Sequence, residues 1–157
     1  MTIDKKKDYT LRISGANSTQ LITILYEMEL DYIKDAQNAL QKADYVALAK
    51  EISNAQNVID ELIQSLDLNY ELARNLIGLY LFEKKELLRA AGHLNINCLE
   101  QVEGVFKRLH EAYVELEKQD NRKSLMVNTQ EVYAGLTYGK NSLVESMTFN
   151  KNRGYTV

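Results

Sequence analysis

The sequence predicts an all-α fold: an antiparallel up-down four-helix bundle with a flexible N-terminal arm and a C-terminal extension. Three observations point there. Four stretches within residues 18–117 repeat apolar residues at steps of three and four, the spacing that lines side chains along a helix of about 3.6 residues per turn. The chain has no proline and only seven glycines, which suits long helices and argues against a loop-rich or all-β fold. The links between the stretches are short, and short links force neighbouring helices to run antiparallel.

Residues 1–17 are polar and contain Gly15, so they read as a flexible arm. Asn17 or Ser18 can cap the first helix, which extends to about Gln41 and aligns Leu21, Leu25, Met28, Tyr32, Ala36 and Ala39. Asp44 caps the second, which ends near Ser65 and aligns Tyr45, Leu48, Ile52, Ala55, Ile59, Leu62 and Leu66. Asp67 and Asn69 are candidate caps for the third, on which Leu72, Leu76, Leu79, Tyr80, Leu87 and Ala91 share a face. Gly92 is placed to end it, because glycine takes the left-handed geometry of a C-terminal cap without a Cβ clash. Asn97 opens the fourth, with Glu100 completing a capping-box pattern and Leu99, Val102, Phe106, Leu109, Tyr113 and Leu116 on one face. The bundle domain is therefore 18–118, and 119–157 is a polar tail rich in Asn, Ser, Thr, Gly and Lys. Within the tail, residues 132–139 read as a short extended segment and 143–149 as a weak helical turn.

Composition narrows the function. A net charge of −3 gives no reason to expect nucleic acid as a partner. A lone Cys98 forms no internal disulfide, which suits a reducing compartment. Lys5, Lys6 and Lys7 are not followed by the apolar run of a signal peptide, and no stretch reaches the roughly 20 apolar residues of a membrane-spanning helix. The expectation is a cytoplasmic protein without membrane insertion. Charge is uneven: residues 1–17 hold four basic and two acidic groups (+2), 119–157 five and three (+2), and 18–118 ten and seventeen (−7).

Catalytic and metal chemistry finds little support. A di-iron carboxylate site needs Glu and His three residues apart, but Ala90 precedes His93 at that spacing and Lys107 precedes His110. Neither histidine has cysteine or carboxylate companions at zinc-ligand spacing. No Gly-rich phosphate loop or Ser/His/Asp set is present. Cys98, at the start of a helix, reads as a small buried residue. No cofactor is expected.

Surplus apolar surface is more telling. The first helix carries a second stripe, Ile22, Tyr26, Ile33 and Leu40, and the third carries Ile77, Leu81 and Leu88 with Phe82 beyond. Each bundle helix touches two neighbours, which accounts for two stripes; the other account is a groove that accepts a partner's amphipathic helix. Ten tyrosines and no tryptophan favour contact surfaces that are apolar in body and polar at the tip.

These residues resemble the flagellin export chaperones, the FliS family, over about residues 5–117. Lys7-Asp8-Tyr9 is similar to the family's Tyr-bearing arm, and Ser18-Thr19-Gln20-Leu21-Ile22 with Leu25-Tyr26 to its first helix. Ile52-Ser53-Asn54-Ala55 with Ser65-Leu66-Asp67, Leu76-Ile77-Gly78-Leu79-Tyr80 with Leu87-Leu88-Arg89, and Leu99-Glu100-Gln101-Val102 follow in order. Thr19 replaces the family's proline, a Gly-Gly link before the third helix is missing, and Tyr113 stands where the family usually has Trp. The resemblance implies a cytoplasmic, cofactor-free, non-catalytic protein. It would bind the C-terminal segment of flagellin, prevent premature polymerisation and assist delivery to the flagellar export gate. Tyr9 would belong to an arm that yields to the client, and Leu21, Ile22, Leu25, Tyr26, Ile77, Leu81 and Leu88 would contact it, with Leu76 and Tyr80 holding the core. Two other readings stay open: a histidine phosphotransfer bundle using His110, and a self-associating helical module. The basic tail, with Val132, Tyr133, Leu136 and Tyr138, is a candidate cover for the client groove.

Overall fold

The computed structural model describes residues 1–125, all of whose regular structure is helical; the predicted elements at 132–139 and 143–149 lie outside the described residues. Five helices follow in order: α1 (Ile3–Gly15), α2 (Ser18–Gln41), α3 (Tyr45–Gln64), α4 (Glu71–His93) and α5 (Ile96–Gln119). The last four pack as a ring in which α2 touches α3 and α5, and α4 touches the same two, while α1 lies on α2. Thr19 at the start of α2 meets Asp120 just past α5, and Gln37 late in α2 meets Glu103 early in α5. Those two helices therefore run in opposite directions.

Local signals set several boundaries as predicted. Asn17 and Gln20 form a reciprocal capping box at the head of α2, and Asp44 accepts from the Ala47 N–H at the head of α3. Others differ. The stretch read as a flexible arm forms α1, capped by Thr2, whose side chain accepts from the Lys5 N–H. α4 has Tyr70 at its N-cap position with no side-chain cap; Asp67 instead accepts from the Asn69 N–H in the preceding turn. Gly92 lies inside α4, and Leu94 takes the left-handed cap with φ 49°. α5 starts with Asn95 as its cap rather than at Asn97.

The core is built from both stripes of α2. Tyr26, Ile33 and Ala36 have no exposed surface, and Ile59, Leu62, Leu87, Leu99, Val102 and Phe106 meet them from the other three helices. Tyr26 and Tyr80 share a hydrogen bond of 2.5 Å between hydroxyls. The Tyr80 ring stacks on Phe106 at 6.3 Å, and the Tyr113 edge meets Tyr26 at 5.2 Å. Pairing the two hydroxyls satisfies polar tips that burial would otherwise strand. At the ends of the predicted stripes, Tyr45, Leu72 and Leu116 are exposed instead of buried, because the ring does not extend to cover helix termini. Cys98 is buried, as expected.

Candidate functional site

α1 covers an outer face of α2. Tyr9 and Ala16 pack with Ile24, beside Ile13, Leu21 and Met28. Around this small apolar contact stands a polar frame. The Tyr9 hydroxyl donates to Asp31 at 2.6 Å, Lys5 pairs with the same carboxylate at 2.5 Å, and the Met1 amino group meets Asp35. Arg12 grips Glu27 through both guanidinium nitrogens at 2.6 and 3.0 Å. Burial, then the neighbouring Asp31, pushes the Tyr9 phenol well above its usual range, so it stays a donor.

An apolar groove opens at the bundle end where α2 begins and α5 finishes. One part is lined by Leu21, Ile22, Ser65, Tyr113 and Leu125. The adjoining part shares Ile22, Ser65 and Tyr113 and continues past Leu66, Tyr70, Leu72 and Leu76. A second apolar surface lies on the outside of α4: Leu81, Phe82 and Leu88 are 48%, 57% and 57% exposed. Ile77, one turn before Leu81, is partly buried.

The predicted site residues therefore separate into four groups. Leu21 and Ile22 line the groove, and Ile77, Leu81 and Leu88 lie along the outer part of α4. Leu25 and Tyr26 lie in the core, 6% and 0% exposed, Tyr26 against Tyr80 of α4 and Phe106 and Tyr113 of α5. Tyr9, on α1, is buried against α2. Leu76 and Tyr80 hold the core as expected. Sequence reading did not assign Tyr70, Leu72 and Leu125 to a groove wall: Tyr70 is the N-cap residue of α4, Leu72 stands in its first turn, and Leu125 comes six residues past the end of α5.

The segment after α5 was also unforeseen. Residues 120–125 turn back across the junction of α1 and α2. Thr19 donates to Asp120 at 2.5 Å, Arg122 donates to Thr19 at 2.9 Å, and the Asn17 amide donates to the Arg122 carbonyl at 3.2 Å. The Leu125 N–H donates to the Ala16 carbonyl at 2.8 Å. Hydrogen bonds from Arg122 and Thr19 hold the Asp120 carboxyl well below the usual carboxylate range.

Reactive constellations are scarce among the described residues. No group of three or more His, Cys, Asp or Glu side chains is arranged to hold a metal ion, and no helix is long and apolar enough to cross a membrane. The His110 Nε2 is buried without a hydrogen bond and lies 3.5 Å from Glu27. A phosphoacceptor nitrogen needs solvent access and no carboxylate in the way of an incoming phosphoryl group, so this placement counts against phosphotransfer at His110. What the surfaces can do is bind apolar chain: a groove and an outer row, both rimmed by polar groups.

The family described as flagellar protein FliS matches residues 4–120. The flagellar secretion chaperone FliS of Salmonella typhimurium (strain LT2) is 30% identical over 107 residues, covering 66% of this chain and 79% of that protein. That of Escherichia coli (strain K12) is 28% identical over 106 residues, covering 66% and 78%. That of Bacillus subtilis (strain 168) is 26% identical over 115 residues, covering 71% and 86%. The helices, the groove at their end and this match over most of the chain lead to one conclusion: the protein belongs to the FliS family of flagellar export chaperones.

Proposed function

We propose that this protein binds the C-terminal segment of flagellin in the cytoplasm, keeps it from polymerising early and hands it to the flagellar export gate. The work is done without catalysis or cofactor, on an up-down bundle scaffold. The observation that carries the reading is that a closed ring of four helices still leaves Leu81, Phe82 and Leu88 uncovered on α4. Surface leucines and a phenylalanine clustered on one helix suit an apolar client segment. The client loses ordering entropy on docking, which burial at roughly 25 cal/mol per Å² of apolar surface offsets. Leu21 and Ile22 in the groove, with Ile77 beside the α4 row, extend the contact. Leu25 and Tyr26 support that surface from beneath.

Calorimetry with a synthetic flagellin C-terminal segment tests this. The expected result is 1:1 binding, weakened about tenfold or more, equivalent to 1.4 kcal/mol, by Leu81→Asp with Leu88→Asp. Absence of binding by the unmodified chain would overturn the proposal. Equal binding by the double variant would move the client off α4.

A further inference from the structure

We propose that the chain's own C-terminal extension occupies the apolar groove at the bundle end, with residues 126–138 as the occupant. Residues 120–125 are tied down at Thr19, Asn17 and Ala16. This strap delivers Leu125 to the groove wall beside Ile22 and Tyr113. The chain continues for 32 residues beyond that point. Its next apolar groups are Met126 and Val127, then Val132, Tyr133, Leu136 and Tyr138.

Reach favours the same occupant. Val132 follows Leu125 by seven positions, and an extended chain spans at most ~3.3–3.6 Å per residue. An exit already on the groove wall therefore brings these side chains to the adjoining part lined by Leu72, Leu76 and Tyr70 without a long excursion. The effective concentration of a tethered segment is in the millimolar range for short linkers, so weak apolar contacts suffice to seat it. Residues 126–138 hold a single charged group, Glu131, which suits an apolar groove.

Paramagnetic relaxation on the full chain tests it. A nitroxide is attached at Thr137→Cys in a Cys98→Ala background, with methyl labelling of Ile and Leu. The expected result is loss of the Ile22, Leu72 and Leu76 signals, with Leu48 and Ile52 retained. Tyr133→Ser with Leu136→Ser should restore the lost signals, and Arg122→Ala, which loosens the strap, should restore them in part. Uniform weak broadening over the whole bundle would overturn the proposal. So would broadening that appears only when spin-labelled chain is mixed with a separate isotope-labelled chain, since that places the segment on a second copy. Circular dichroism of each variant separates loss of contact from loss of fold.

Discussion

α1 and α4 both border the surface, yet they are held in opposite ways. α1 is short and lysine-rich, touches only α2 among the principal helix contacts, and is fastened by Tyr9 and a frame of ion pairs. α4 is part of the ring, anchored by Leu76, Tyr80, Leu87 and Ala90, and leaves leucines outside. The uncovered leucines of α4 therefore sit on a firmly fixed helix, while α1 is the more polar of the two and shows Ile3 and Leu11 to solvent. A binding face is more precise when its own helix does not move.

The largest effect that would break this contrast is on the inner face of α4. Tyr80→Ala removes a stacked ring and the partner 2.5 Å from the Tyr26 hydroxyl, and should cost about 3–5 kcal/mol in urea unfolding. A loss as small as that of a surface variant would mean α4 is not anchored there. Next comes α2 beneath both helices. Glu29 is fully buried with no partner for either oxygen, and burial raises its pKa well above the usual value. Glu29→Met should stabilise by about 1–3 kcal/mol at neutral pH.

Smaller effects sharpen the comparison. Glu83, on α4, has its pKa raised to about 7, first by burial and then by Glu86, with Arg108 acting the other way. The folded state holds this proton more tightly than the unfolded chain. Stability therefore falls as pH rises from about 4.5 to about 7, and Glu83→Gln should flatten that part of the profile. For α1, raising salt should speed amide exchange across Ile3–Gly15 while α3 is unchanged, because its partly exposed ion pairs are screened. Gly78 gives the smallest change. It is exposed on α4 with open space where a Cβ would stand, so Gly78→Ala should add about 0.5–1 kcal/mol. Stabilisation together with weaker client binding would place the client's backbone against that turn.

What could be read from the chain was what local chemistry decides. The Asn17–Gln20 box, the Asp44 cap and the inward positions of Leu76 and Tyr80 each depend on residues a few steps apart. α1 escaped because its apolar residues, Tyr9, Ile13 and Ala16, are few, and its partners Asp31 and Glu27 are distant in sequence. Helical angle alone could not decide whether Tyr26 and Ile33 face a neighbour or a client; the ring buries them. Leu94 rather than Gly92 ends α4 because the turn to Asn95 sets the position of the left-handed residue. The strap at 120–125 depends on hydrogen bonds to residues about a hundred positions earlier, beyond any local pattern. The surplus on α4, in contrast, was legible, since Leu81 and Leu88 share a stripe turned roughly 100° from Tyr80.

The Tyr26–Tyr80 pair also makes the protein its own optical probe. With no tryptophan, its near-ultraviolet absorption comes mainly from ten tyrosines. Burial pushes Tyr80 up to about 12 and Tyr26 higher still. In an alkaline titration the surface phenols turn to phenolate first, and the buried pair ionises only when the bundle opens. Tyr9, raised likewise at the α1–α2 contact, joins the delayed step, so the phenolate band reports the opening of the packed helices without any added label.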